Sequence, residues 1–145
     1  MKRDPILANL SREHHTSLLL AQLLKKGAAP YKGMPANVHD KFLYAKKLYE
    51  DSIRQHFEKE EKMLDQLLPE HAELIEICKE ILDEHQQLQL LFTSLQENKQ
   101  LEMDLDAIGH LLELHIRKEE RVLFPLMQLH CSDTELKQVE ALLLK

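Results

Sequence analysis

Two stretches of this chain carry the same chemical phrase. One is His56-Phe57-Glu58-Lys59-Glu60-Glu61-Lys62-Met63-Leu64, the other His115-Ile116-Arg117-Lys118-Glu119-Glu120-Arg121-Val122-Leu123. In each, a glutamate follows a histidine by four positions, which on a helix places both side chains on one face, one turn apart. An imidazole nitrogen and a carboxylate oxygen presented together can grip one metal ion. In a chain with nine histidines the pattern His-x-x-x-Glu-Glu is expected by chance only roughly 0.1 times, yet it occurs twice.

The elements that must position these groups are helices. Charged residues make up 30% of the chain, there are three glycines and no tryptophan, and Leu and Glu outnumber β-branched residues, which favours helix over sheet. Asp4-Pro5 reads as an N-cap followed by proline at the first helical position. The helix it opens runs over about 5–26, with Leu7, Leu10, His14, Ser17, Ala21 and Leu24 inward. Gly27, Pro30, Gly33 and Pro35 break the chain into a loop. A second helix over about 37–68 turns Phe42, Ala45, Tyr49, Ile53, His56, Glu60, Met63 and Leu67 inward. After Pro69, a third over about 70–98 does so with Leu74, Cys78, Ile81, His85, Leu88, Phe92 and Leu95. Asp104 is predicted to cap a fourth helix reaching about 128, with Ile108, Leu111, His115, Glu119, Val122 and Leu126 inward and Pro125 kinking or ending it. Ser132 with Glu135 forms a capping box for a short last helix over about 133–144, whose Leu136, Val139 and Leu143 pack across one end. The expected architecture is one all-α domain over 1–145, an up-down-up-down four-helix bundle with a short C-terminal fifth helix.

Composition removes several function classes. The net charge is −6 and the basic residues lie interspersed with acids, so no basic stripe offers itself to nucleic acid or an anionic membrane. Apolar runs reach about four residues, far below a membrane span or signal-peptide core, and the expected location is cytoplasmic. Cys78 and Cys131 have neither metal-site spacing nor the density of a disulfide scaffold and read as reduced packing residues.

The four long helices each contribute one inward histidine: His14, His56, His85 and His115. Counting residues from each hairpin turn brings the last three to one height within roughly 3 to 5 Å. Glu60 and Glu119 join them. Burying six such groups costs many kcal/mol unless they are paired or bound to a cation. Two metal ions, each held by two histidines and sharing Glu60 and Glu119, account for all six, and the donor set suits iron, manganese or zinc. The alternative is a metal-free polar layer in which histidines bond glutamates. Glu61 and Glu120, about 100° further round, are expected to face solvent or to support the ligands from outside, unless a π-bulge re-aims them. His39, His71, His110 and His130 lie near helix ends or off the stripes. Tyr49 reads as a core aromatic.

The residues Arg12-Glu13-His14, His56-Phe57 with Glu60-Glu61, Glu84-His85, and His115 through Glu120 with Leu123-Phe124-Pro125 resemble the hemerythrin-like (HHE cation-binding) domains over nearly the whole chain. The resemblance implies a four-helix bundle around a non-haem di-iron centre, often oxo- or hydroxo-bridged. It implies His14, His56, His85 and His115 as terminal ligands and Glu60 and Glu119 as bridges, with zinc or manganese as possible substitutes. Oxygen-carrying members have a second histidine on the third helix where this chain has Gln89, and an aspartate five residues after the last histidine, where this chain has Glu120. The symmetrical two-histidine, two-glutamate pattern is more similar to bacterial domains linked to iron handling, nitric oxide and oxidative stress, or iron-sulfur repair. Repair proteins usually carry an added cysteine-containing N-terminal domain, so a dedicated repair enzyme is not the first expectation.

Three functions compete on this reading. The leading one is a metal-binding protein that binds or senses O₂ or NO, or handles iron. The second is a redox enzyme of the same fold, reducing peroxide or NO or repairing iron-sulfur centres. The third is a metal-free interaction module docking through Leu136, Val139 and Leu143. A ferritin-like oxidase is disfavoured because no histidine has a glutamate three residues before it, and a zinc protease because His-Glu-x-x-His is missing.

Overall fold

The structure, a computed structural model, describes residues 3–143. Among the described residues there are helices and turns and no strand, as the composition requires. Helix α1 (Pro5–Leu24) starts where Asp4 accepts the Ile6 N–H at 2.9 Å. It lies along α5 (Leu101–Lys118), and Gly109 permits that approach. A Cβ at position 109 would stand 2.7 Å from the Ala21 carbonyl oxygen, so Gly109→Ala is expected to cost about 1–3 kcal/mol in overpacking.

Helix α2 (Val38–Leu48), capped by Asn37, passes through a π turn, Tyr49–Ile53, into α3 (Arg54–Leu67) without leaving helical backbone angles. The third long helix begins later than the predicted residue 70. Pro69 lies in one 3₁₀ turn, Leu68–Glu70, and His71, at φ −135° and ψ 80°, separates it from a second, Ala72–Leu74. Helix α4 (Ile75–Thr93) follows, ending before the predicted residue 98, and α5 opens before the predicted cap. The Asp104 N–H is donated to the Gln100 carbonyl at 2.8 Å, so Asp104 lies in the first turn and does not cap it.

A second π turn, Glu119–Leu123, leads from α5 into α6 (Phe124–His130). Its extra residue moves the buried face by one position. Leu123 and Met127 are buried, whereas Val122 is 41% exposed and Leu126 is only partly buried, which corrects the inward series expected there. Pro125 does not end the helix. The Phe124 N–H goes to the Glu119 carbonyl, Pro125 has no N–H for the Glu120 carbonyl, and Arg3 Nη2 donates to that oxygen at 2.8 Å instead.

Helix α7 (Asp133–Leu143) is fixed by the expected capping box: the Glu135 N–H donates to Ser132 Oγ at 3.1 Å, and the Ser132 N–H to the Glu135 carboxylate at 2.9 Å. The predicted end at 144 lies outside the described residues. Leu136 and Val139 are buried against α3 and α1, with Leu143 packed beside them. They complete the chain's own core, which removes them as a docking face.

Two apolar clusters make up the core. One joins Leu7, Leu10, Met63, Leu67, Leu74, Ile81, Leu123 and Phe124; the other joins Leu20, Leu24, Phe42, Ile53, Leu88, Phe92, Ile108 and Leu112. Between the two sets, on every long helix, falls a buried polar residue: His14, His56 with Glu60, His85, and His115 with Glu119. The aliphatic clusters hold this polar layer at one level, because each helix is clamped by apolar residues on both sides of it.

Candidate metal centre

All six predicted residues converge. Ligating atoms of His14, His56, Glu60 and Glu119 lie within 4.8 Å of one another, as do those of Glu60, His85, His115 and Glu119. The two glutamates are common to both sets and neither is exposed at all. Glu60 spans the halves, with Oε2 lying 3.2 Å from His56 Nε2 and Oε1 lying 3.2 Å from His85 Nε2. Glu119 Oε1 lies 2.9 Å from His115 Nε2 and 3.5 Å from His14 Nε2. The Nε2 atoms of His14 and His56 point at each other across 3.0 Å. That is about the separation of two nitrogens at right angles on an ion with metal–nitrogen bonds of about 2.1 Å.

Hydrogen bonding within the protein does not satisfy this cluster. Glu60 Oε2, both carboxylate oxygens of Glu119, His115 Nε2 and His56 Nδ1 are buried with no hydrogen-bond partner. His115 Nε2 and Glu119 Oε1 approach to 2.9 Å without forming a hydrogen bond. Buried unpaired polar atoms each cost about 1–3 kcal/mol. Four of these five face the interior of the cluster, where one or two cations would satisfy them together, so the donor set fits a metal centre better than a hydrogen-bonded polar layer.

The electrostatics point the same way. Burial alone would lower His14, but the neighbouring carboxylates of Glu119, Glu120 and Glu60 outweigh it and hold its pKa up to about 12. For His115 burial again opposes, and the charge of the adjoining Glu119 with the hydrogen bond to Glu84 pushes it up to about 10. His56 rises to about 9 against burial, chiefly through Glu60. Burial would raise Glu60, yet His56 and its other partners hold it well below the usual carboxylate range. A layer that retains protons so firmly presents a negative potential to any cation able to displace them.

Outside the imidazoles lies a second set of carboxylates. His14 Nδ1 is 2.7 Å from Glu120 Oε1, His85 Nδ1 is 3.0 Å from Glu61 Oε2, and His115 Nδ1 is 2.8 Å from Glu84 Oε1. The fourth pair, His56 Nδ1 and Glu13 Oε1, is 3.5 Å apart. Each glutamate comes from a helix other than that of its histidine, so the four pairs close a ring: α1 to α3, α3 to α4, α4 to α5, and the π turn after α5 back to α1. A carboxylate on Nδ1 fixes the ring's tautomer and leaves Nε2 free to ligate. The surplus acids Glu61 and Glu120 therefore brace His85 and His14 from outside the cluster.

The sequence did not reveal Glu13 and Glu84 in this role, because each stands beside one histidine in the chain and serves another in space. Their signal was present nonetheless. A residue adjacent to an inward ligand is turned about 100° from it and so faces the next helix.

Around the centre, Phe57 stacks on His85 with ring centroids 4.1 Å apart, and Phe124 lies parallel to His14 at 5.9 Å. Arg3 and Ser11 hold the outer oxygen of Glu120 at 3.1 and 3.0 Å, and Lys118 pairs with Glu84. The other histidines stand apart from the cluster. His39 pairs with Glu97, His110 with Asp106 at 3.3 Å, and His130 with Glu73 at 3.4 Å. His71 is more enclosed than its position near a helix end suggested, and is bonded to Glu135 at 2.5 Å and Glu73 at 3.1 Å. Tyr49 stacks on Phe92 at 4.7 Å as a core aromatic. Cys78 and Cys131 are free and buried, and desolvation pushes both thiols up to about 11.

No described helix is long and apolar enough to cross a membrane. Comparison with curated proteins and with solved structures returned no match. The family model for the hemerythrin HHE cation binding domain matches residues 6–127, a span that contains all six central residues and all four outer glutamates. The chain belongs to the hemerythrin HHE cation-binding domain family.

Proposed function

We propose that this protein is a non-haem di-iron protein that binds or senses a small diatomic molecule, O₂ or NO, or handles iron. His14 and His56 would hold one ion, His85 and His115 the other, with Glu60 and Glu119 shared. The observation that carries the reading is the pair of overlapping buried ligand sets joined by two carboxylates, with four unpaired polar atoms turned into them. An up-down-up-down four-helix bundle is part of the reading. The long helices meet the two apolar clusters in alternating order, as Leu10 before Leu20, Ile53 before Met63, Ile81 before Leu88 and Leu112 before Leu123 show.

When bound, a pair of iron ions supplies redox-active centres with coordination positions that six shared protein ligands leave open. The chain's own residues do the rest. Glu120, Glu61 and Glu84 fix three of the imidazoles, Phe57 and Phe124 exclude water from two of them, and the fully buried Glu60 and Glu119 would neutralise cationic charge in a medium that strengthens it. Zinc or manganese would fit the same donors.

A second reading, redox turnover of peroxide or NO, is favoured by one observation: the outer carboxylates Glu13 and Glu61 are 38% and 47% exposed, so protons can pass between solvent and the histidines.

Metal analysis of protein purified without added metal, read beside its absorption spectrum with and without azide, tests the proposal. About two irons per chain and an azide-sensitive band are expected, and a metal-free protein with an unchanged spectrum after iron addition would overturn it. Stable spectra on repeated cycling with O₂ or NO would support the binding reading; many turnovers of peroxide or NO would support the second.

A further inference from the structure

The ring of outer carboxylates is closed at three corners and open at one. His14, His85 and His115 each make a hydrogen bond through Nδ1 at 2.7–3.0 Å. His56, only 6% exposed, has an Nδ1 without a hydrogen-bond partner. Its neighbour Glu13 stands off at 3.5 Å and is drawn outward by Lys59, also at 3.5 Å. Behind this corner is a cavity of about 180 Å³ between α1 and the π turn Tyr49–Ile53, lined by Glu13, Ser17, Asp51, Ser52, His56 and Lys59 among others. It has room for several waters. Its hydroxyls and carboxylates are oxygen donors of the kind a hydrated divalent cation accepts as it sheds water. On the facing half both Nδ1 atoms are engaged, His85 by Glu61 and His115 by Glu84, and Phe57 stacks on His85.

We infer that this polar cavity is the route by which ions reach the centre, so that the His14/His56 half exchanges metal with solvent faster than the His85/His115 half. The inference rests on the di-metal reading above and adds a direction to it. A cation resting against Glu13 or Asp51 needs only a rotation of the weakly restrained His56 ring to pass inward. At the other three histidines the same rotation would break a formed hydrogen bond.

Chelator-driven release of cobalt(II) from the loaded full-length protein, followed by the visible absorption of the bound ion, tests this. Two phases of equal amplitude are expected, with the faster one alone remaining in His115→Ala. Ser17→Leu, which fills the cavity from α1, should slow the fast phase at least tenfold while the protein still takes up two cobalt ions at equilibrium. Ser52→Leu, from the opposite wall and at an exposed position, should slow it in the same sense should the buried substitution disturb folding. A single phase, or two phases unmoved by both variants, would overturn the inference and leave the di-metal centre standing. Failure of the unmodified protein to take up cobalt would instead sink the di-metal reading, and this inference with it.

Discussion

The His14/His56 half and the His85/His115 half present the same donors, two imidazoles and two shared carboxylates, yet their outer walls differ. On the His85/His115 side both rings are bonded to carboxylates, one of them neutralised by Lys118, and an aromatic ring lies flat on His85. On the other side His14 is held as firmly, by Glu120 under Arg3 and Ser11, but His56 is backed by a cavity and a glutamate out of good bonding range. Donor chemistry decides which ions suit the centre. On the proposed two-ion reading, the residues behind the donors would set how tightly each half holds its ion and how readily it lets go.

The largest effect is expected where the halves are joined. Glu60→Ala removes an oxygen from each ligand set and should reduce bound iron from about two per chain to well below one, as read by metal analysis after dialysis. Retention of two irons would show that the halves do not share this carboxylate.

Substitution within one half should cost one ion. His56→Ala is expected to lower the content by about one ion per chain and to remove the stabilisation that ion gives the folded state, about 4 kcal/mol for a free ion at a thousand times its Kd. Thermal melting with and without iron reads this directly.

Next come the outer carboxylates, where the halves should part company. Glu84→Ala leaves the fully buried His115 Nδ1 without its partner and should weaken metal binding about 10–100-fold. Glu13→Ala removes a carboxylate that makes no good bond and should change affinity by less than about threefold. Equal effects at both positions would erase the distinction between the corners.

The smallest effect lies outside both halves, at the latch joining His71 to α7. The hydrogen bond that His71 donates to the Glu135 carboxylate raises its pKa, burial opposes the rise, and Glu73 adds to it. A raised histidine contributes stability that is fully present below its unfolded value, about 6.5, and is lost as pH rises through its folded value. Replacing His71 by Asn should therefore destabilise by about 1 kcal/mol near pH 6 and by less near pH 9, in urea denaturation at the two pH values, with metal content unchanged.

Much of this was legible in the helical periodicity, because a ligand that must face inward obeys the same spacing as the leucines above and below it. His14, His56, His85, His115, Glu60 and Glu119 all lie where that spacing puts them. It failed by one position at Leu111, where Leu112 is buried instead, and again where the backbone leaves the α-helical period. The π turn at Glu119–Leu123 inserts one residue, so Leu123 and Met127 are buried in place of Val122 and Leu126, and no composition signal announces such a turn. Asp104 and the start of α4 were misplaced for a different reason. A capping residue or a proline marks a boundary only approximately, and 3₁₀ turns absorb the difference. The outer ring was half legible. Glu61 and Glu120 extend the repeated phrase, but pairing Glu13 with His56 and Glu84 with His115 requires knowing which helix is neighbour to which, and that is fixed by tertiary packing.

The most direct test of the central claim is anomalous scattering at the iron edge from crystals of the iron-loaded protein. We expect two peaks roughly 3.5 Å apart in the buried layer, one beside the Nε2 atoms of His14 and His56 and one beside those of His85 and His115, with a Glu60 oxygen on each. A single peak, or iron bound away from these six side chains, would contradict it.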